Sequence, residues 1–342
     1  MSGRAENADL VPITPVSFVT RSMGGRLAIH VDEPAAVEVG VRRATDAARR
    51  VTNRIETWAS RITRHDDASD LSRLNADPRR VVTVRPTLAA ALAAGRDATD
   101  LVPSYVNIAM LDERLAAERA SEAASRPAGN PARDFPIDRA WALTTGRRGT
   151  AIVSRGKLVR FDLGGIGKGW IADRALRLLT GQISAGHLLG ASAIVDADGD
   201  MAIRTARGRF WDIAVDDPRV PDGELAVLRI GSRVAARTWG IATSGTSIHR
   251  WQTANADGRT APRHHLIDPR TGLPAVTDVL QATVIAESAL HAETYAKAAV
   301  IAGSVRGFAL LDRAPIRGAV LLLDDGRVLA LPSTLALLHE AA

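Results

Sequence analysis

The 342 residues, at roughly 150 per domain, allow one large domain or two smaller ones, and 46% hydrophobic with 24% charged side chains exclude wholesale disorder and fibrous repeats. Cysteine is absent, which excludes disulfides, thiolate nucleophiles and thiolate metal centres, so any metal must take oxygen or imidazole ligands. The net charge of +6 is scattered in pairs such as Arg42-Arg43, Arg79-Arg80 and Arg147-Arg148, and with aromatic residues at 4% it argues against a nucleic-acid stacking surface.

Met1–Thr14 carries Arg4, Glu6 and Asp9 and lacks the apolar core of roughly 7–15 residues that a signal peptide needs. The expected address is cytoplasmic, with residues 1–15 a flexible N-terminus before one domain over 16–342. Ser17–Thr20 and Leu27–Val31 read as a strand pair joined through Ser22-Met23-Gly24-Gly25, where two glycines permit a tight turn. From Pro34 to Ser60 apolar residues recur at helical spacing (Val37, Val41, Ala44, Ala48, Val51, Ile55, Trp58), which predicts one long amphipathic helix. Thr87–Ala98, entered beside Pro86, and Ile108–Ala124 predict two more. No apolar run, the alanine-rich Leu88–Ala94 included, approaches the roughly 18 residues of a spanning helix.

Ser125–Ile137, with Pro127, Gly129, Pro131 and Pro136, predicts an exposed loop and a possible internal boundary. Beyond it the pattern turns to short β-type runs: Thr150–Val153, Leu158–Phe161, Ala193–Val195, Met201–Arg204, Asp212–Val215, Glu224–Ile230, Val279–Ile285, Ala319–Leu323 and Val328–Leu331. Helices over Ile166–Thr180, Ser288–Ala302 and Ser304–Leu311 interrupt them. Long helices over many hairpin-like strands predict an α+β fold with largely antiparallel sheet.

Four segments could carry chemistry. Asp162-Leu163-Gly164-Gly165-Ile166-Gly167-Lys168-Gly169-Trp170 joins a strand run to a helix, and such a turn can aim backbone N–H groups and a helix N-terminus at phosphate. It is neither a P-loop, which would need glycine at 162 and a hydroxyl at 169, nor the dinucleotide fingerprint, which would need glycine where Trp170 stands. His264-His265-Leu266-Ile267-Asp268-Pro269-Arg270-Thr271-Gly272 sets an imidazole beside a turn that proline and glycine explain without it, and imidazole suits a general base. Thr243-Ser244-Gly245-Thr246-Ser247 clusters hydroxyls without the G-x-S-x-G elbow of a serine hydrolase. Glu293 and Lys297 lie one helical turn apart, and as an ordinary helix pair they would contribute roughly 0.2–0.5 kcal/mol. All but three of the 44 basic residues are arginine, and of Lys157, Lys168 and Lys297 two fall in these segments, which suits a compact ammonium in a tight phosphate site.

In chain order these segments resemble the ApbE family of flavin transferases, which move FMN from FAD onto a threonine hydroxyl of a partner protein in a magnesium-dependent reaction. Met23-Gly24-Gly25 is similar to the family's M-G-T turn, Ser69–Asn75 to S-E-L-s-r-L-N, Asp162–Trp170 to D-L-G-G-I-A-K-G-Y, Asp198-Gly199-Asp200 to G-G-D-I, Ala242–Gly245 to A-T-S-G, and His265–Pro274 to H-I-I-D-P-r-T-G-x-P. The resemblance implies a T-fold-like core, FAD as substrate, Mg²⁺, and an FMN-accepting protein with a threonine site. It also implies that Asp162 and Lys168 contact FAD, that the Gly165 main chain approaches the metal, that His265 takes the threonine proton, and that Met23 and Ile267 line the flavin or adenine pocket.

Three positions depart from the family pattern. Glu293 and Lys297 stand where A-D-A-L-A-T would supply Asp and Thr to magnesium; Glu can reach a hard cation, whereas an ammonium cannot be a ligand but can neutralise pyrophosphate charge. Val102-Pro103-Ser104-Tyr105 replaces D-P-T-V, placing Ser104 and Tyr105 in a flavin-contacting loop, and Thr246-Ser247-Ile248-His249 replaces D-Y-x-R. These departures leave open a FAD-binding protein without transfer, or a metal-dependent FAD pyrophosphatase giving FMN and AMP.

Overall fold

Met23-Gly24 and Asp198-Gly199 both lie at positive φ (54° and 81°; 59° and 91°), the backbone that a two-residue hairpin turn requires. Each closes a hairpin of one large sheet in the computed structural model, which describes residues 11–12, 15–32, 38–122, 140–184, 192–247, 250–254 and 260–339. The sheet has eight antiparallel strands: β1 (Val16–Ser22), β2 (Gly25–Asp32), β3 (Ser192–Ala197), β4 (Asp200–Thr205), β5 (Arg237–Gly245), β6 (Val279–Ala286), β7 (Gly318–Leu323) and β8 (Val328–Ala330). They are neighbours in chain order throughout, so the sheet is a meander into which the remaining elements are inserted.

Between β2 and β3 come α1 (Glu38–Ile62), α2 (Asp70–Ala76), α3 (Pro86–Leu101), α4 (Leu111–Glu122) and α5 (Gly167–Ser184), with a small sheet in the order 81–84, 151–155, 141–145. Between β6 and β7 come α6 (Ala289–Ala302) and α7 (Ser304–Arg313). Helices α5 and α6 cover one face of the large sheet, and α1 packs outside α5. Arg209–Asp216 and Glu224–Ser232, with Val11–Pro12 running parallel to the former, cover the other face.

The two-residue period of a strand assigns the core to these layers. Ala193, Val195, Ala202 and Val284 join the helical cluster, while Ile194, Ile203, Trp239, Ile241 and Ile285 meet Trp211, Ile213, Leu228 and Ile230. Both faces of β3 and β7 are therefore buried at every position, and each fully buried Ile or Leu contributes roughly 1.5–3 kcal/mol. The α+β, largely antiparallel expectation holds. Among the described residues no helix is long and apolar enough to cross a membrane.

Two expectations need correction. Leu158–Phe161 is not a strand; its backbone finds partners outside any ladder. The Asn75 amide donates to the Phe161 carbonyl and its oxygen accepts from the Phe161 N–H, both at 2.8 Å, and the Asp162 N–H donates to the Ile108 carbonyl at 2.8 Å. The last residue of Ser69–Asn75 thus fixes the start of the Asp162 turn. Because Phe161 is fully buried, Asn75→Ala would leave both its peptide groups unpaired and cost about 2–3 kcal/mol, read as a lower urea midpoint with an unchanged slope. The second correction is β5, a central strand where the sequence suggested only a cluster of hydroxyls. The expected loop over 125–137 and most of the N-terminal 1–15 segment lie outside the described residues, as do Ile248 and His249.

Candidate active site

Asp162 begins a tight turn into α5: its Oδ1 accepts from the Gly164 N–H at 2.9 Å, and the Leu163 carbonyl accepts from Ile166 and Gly167 at 3.1 and 2.8 Å. Gly169, in the first turn of α5, lies against α6 so closely that a Cβ there would sit 2.7 Å from the Ala289 carbonyl oxygen. That approach lets the Gly169 N–H donate to Glu293 Oε2 at 3.0 Å. Asp173 on α5 completes the junction by accepting from the Ala289 and Leu290 N–H groups at 2.9 and 3.0 Å, capping α6 from the side.

One turn further along α6, the Lys297 ammonium donates to the Gly165 carbonyl and stands 3.8 Å from Glu293 Oε1. Lys168 reaches the other way, to Asp200 Oδ2 at 3.1 Å and Asp198 Oδ2 at 3.7 Å. Two ammonium groups and two buried carboxylates thereby meet where the glycine turn, the β3–β4 hairpin and α6 converge. Glu293 and Lys297 are more than the ordinary helix pair that their spacing alone allows: Glu293 is 3% exposed, and each is tied to backbone of the 162–169 segment.

The charges perturb one another. Burial, reinforced by Glu293, pushes the Asp200 carboxyl up to about 7, against the pull of Lys168. Burial also pushes Lys297 below its ordinary value although Glu293 and Asp200 attract its proton. Burial opposes the charge on Lys168 as well, but Asp200, Glu293 and Asp198 together outweigh it and raise its pKa. Lys168 and Asp200 thus both move upward; the burial of Asp200 beside a second carboxylate makes it the group that carries a proton near neutrality.

A second group lies along α4. Arg114 donates to the His265 carbonyl and to Glu118 Oε1 (2.7 Å); Glu118 accepts from Arg64 (2.5 and 3.2 Å), whose Nε is 3.7 Å from Asp162 Oδ1. This chain of charges links the His265 loop to the Asp162 turn. In the same loop Asp268 is paired with Arg270 (2.7 and 2.9 Å), and the Arg270 guanidinium lies 4.8 Å above the Tyr105 ring, so Tyr105 sits beside the segment bearing Ile267. Ser104 is exposed next to it. Met23, at the β1–β2 tip, approaches the first group through its hairpin: the Arg26 N–H donates to Asp198 Oδ1 at 3.2 Å.

The structure thus joins Gly165, Glu293 and Lys297 by direct contacts, ties Lys168 to Asp200 and Asp198, which the hairpin bearing Met23 also meets, and links the loop of His265 and Ile267 to the Asp162 turn through Arg114 and to Tyr105, the neighbour of Ser104, through Arg270. Sequence reasoning missed Asp200 as the partner of Lys168, and missed Arg64, Arg114 and Glu118. The D-G-D spacing and the i,i+4 pair on α4 were the available signals.

A model of the ApbE family matches residues 23–321, most of the chain. The chain belongs to the ApbE family. The FAD:protein FMN transferase of Treponema pallidum is 31% identical over 182 residues, 50% of this chain and 46% of that protein, and the one of Salmonella typhimurium is 30% identical over 152 residues, 44% and 39%. The matched region thus spans less than half the length of these relatives. Among solved structures, the ApbE protein of Thermotoga maritima (22% identical, TM-score 0.72, covering 96% of this chain and 100% of that one) and the flavin transferase ApbE of Vibrio cholerae (21%, TM-score 0.68, 95% and 100%) share the fold.

For this ApbE chain the family's magnesium can be tested against the donors present. Magnesium takes one or two carboxylates and fills its remaining positions with water and phosphate oxygens, yet here the oxygens at hand face an ammonium: Lys297 sits on the Gly165 carbonyl and 3.8 Å from Glu293 Oε1, and Lys168 stands 3.1 Å from Asp200. Among the described residues no group of three or more His, Asp or Glu could hold a metal. The donor set does not fit a divalent ion.

Proposed function

We propose that the chain is a FAD:protein FMN transferase, joining FMN through a phosphoester to a threonine of an acceptor flavoprotein and releasing AMP. The threonine oxygen attacks the phosphorus on the FMN side, the bond from that phosphorus to the bridging oxygen breaks, AMP leaves with the bridging oxygen, and the hydroxyl proton passes to His265. The observation that carries the reading is the convergence of the 162–169 turn with the ammonium groups of Lys168 and Lys297, in a family whose relatives bear that activity as their name. Fixed positive charge beside a backbone turn is what a pyrophosphate needs, because negative charge grows on the leaving phosphate as the bond breaks.

In this reading Lys168 and Lys297 hold the phosphate end of FAD, Asp162 contacts FAD from the turn it shapes, and Met23, Ser104, Tyr105 and Ile267 bound the flavin or adenine. The test is intact-mass analysis of a domain carrying an FMN-accepting threonine after incubation with FAD and this protein. A mass gain of one FMN is expected. An unmodified acceptor alongside free FMN and AMP would replace the reading with a pyrophosphatase.

A further inference from the structure

We infer that Lys297 is the resident cation of this site: its ammonium, held between the Gly165 carbonyl and Glu293, neutralises the FAD pyrophosphate in place of a divalent metal, so that FAD binding and FMN transfer here are metal-independent. The inference rests on the transferase reading for its substrate and on geometry for its content.

Three observations carry it. First, the ammonium occupies the space that a side chain at 165 would need, since a Cβ on Gly165 would lie 2.5 Å from Lys297 Nζ; the glycine makes room for the cation. Second, each carboxyl group of the cluster already faces an ammonium, Glu293 with Lys297 at 3.8 Å and Asp200 with Lys168 at 3.1 Å, so a further divalent charge would meet two ammonium groups instead of open carboxylates. Third, of the three lysines in a chain whose other basic residues are arginine, two, Lys168 and Lys297, stand at this cluster. An ammonium is more compact than a planar guanidinium, reaches the Gly165 carbonyl on a flexible stem, and has three donors, of which that carbonyl uses one.

The experiment uses the full chain freed of metal with EDTA. FAD affinity is measured by flavin fluorescence in EDTA and in Mg²⁺, Mn²⁺ binding to the protein by the free-ion paramagnetic resonance signal, and transfer by acceptor mass in both conditions. Expected are FAD affinities that agree within about twofold, no saturable Mn²⁺ binding, and transfer that persists in EDTA. Lys297→Met, checked for folding by circular dichroism, should weaken FAD binding by about 10–100-fold, the loss of one charge-assisted contact. Wild-type FAD binding or transfer that collapses in EDTA and returns with Mg²⁺, or saturable Mn²⁺ binding, would overturn the inference without needing any variant. FAD binding indifferent to EDTA with no transfer in either condition would instead sink the transferase reading and leave the role of Lys297 standing.

Discussion

His265→Ala should lower FMN transfer by about 10²–10⁴-fold, the range for loss of a general base, while FAD affinity stays within about twofold of wild type. Arg114 is held by the His265 main-chain carbonyl, so removing the imidazole leaves the Arg114–Glu118–Arg64–Asp162 chain in place. The neighbouring His264 provides the contrast: it is buried, and its Nδ1 accepts from the Leu266 N–H at 3.3 Å, a turn contact whose loss would cost roughly 1 kcal/mol of stability. Stopped-flow or quenched transfer assays with saturating FAD separate the two. A His265→Ala variant that loses binding and transfer equally would show that the imidazole holds substrate and does not take the proton.

How much of this was legible in the sequence depended on the range of the interactions involved. The 162–170 turn could be read because four glycines, a lysine and the following helix are contiguous and its closing hydrogen bonds are local, whereas its contacts to Ile108, Arg64, Asp200, Glu293 and Lys297 come from distant parts of the chain. The second helix bearing Glu293 was also legible, but its burial was not: an i,i+4 pair looks the same on a solvated face and in a core. Only the close approach at Gly169 turns it inward.

The missed elements have separate causes. β5 contains Gly240, Ala242, Ser244 and Gly245, which suggest a loop, yet the small residues are there because α6 begins against the strand: a Cβ on Gly240 would sit 1.9 Å from the Ser288 carbonyl carbon. Propensity lost to packing at that position. Leu158–Phe161 failed in the opposite sense, since an apolar run satisfied by Asn75 and Ile108 needs no neighbouring strand. The Arg114–Glu118 pair on α4 was visible, but its link to Arg64 was not, because Arg64 lies 54 residues from Glu118 and only the fold brings the end of α1 beside α4.

Replacing Asp200 should remove a large part of the pH dependence of stability. Its ordinary pKa is 3.8 and its folded value is about 7, so between these the folded chain binds more protons than the unfolded one. Stability from this group is full below about pH 4 and is lost as pH rises through 7. A difference of this size corresponds to on the order of 4 kcal/mol between the two limits. Urea unfolding of wild type and Asp200→Asn at pH 4.5 and pH 8 should therefore show the wild type losing about 2–4 kcal/mol relative to the variant as pH rises. Parallel behaviour of the two proteins would mean that Lys168, 3.1 Å away, compensates the charge fully. The proton also bears on function. A carboxyl that is partly neutral near pH 7 leaves more of the Lys168 charge for a phosphate, and an arriving pyrophosphate, adding negative charge, would hold that proton on Asp200 more firmly. FAD binding by wild type should accordingly take up a fraction of a proton near pH 7, measurable by calorimetry in buffers of different ionisation enthalpy, and Asp200→Asn should abolish that uptake.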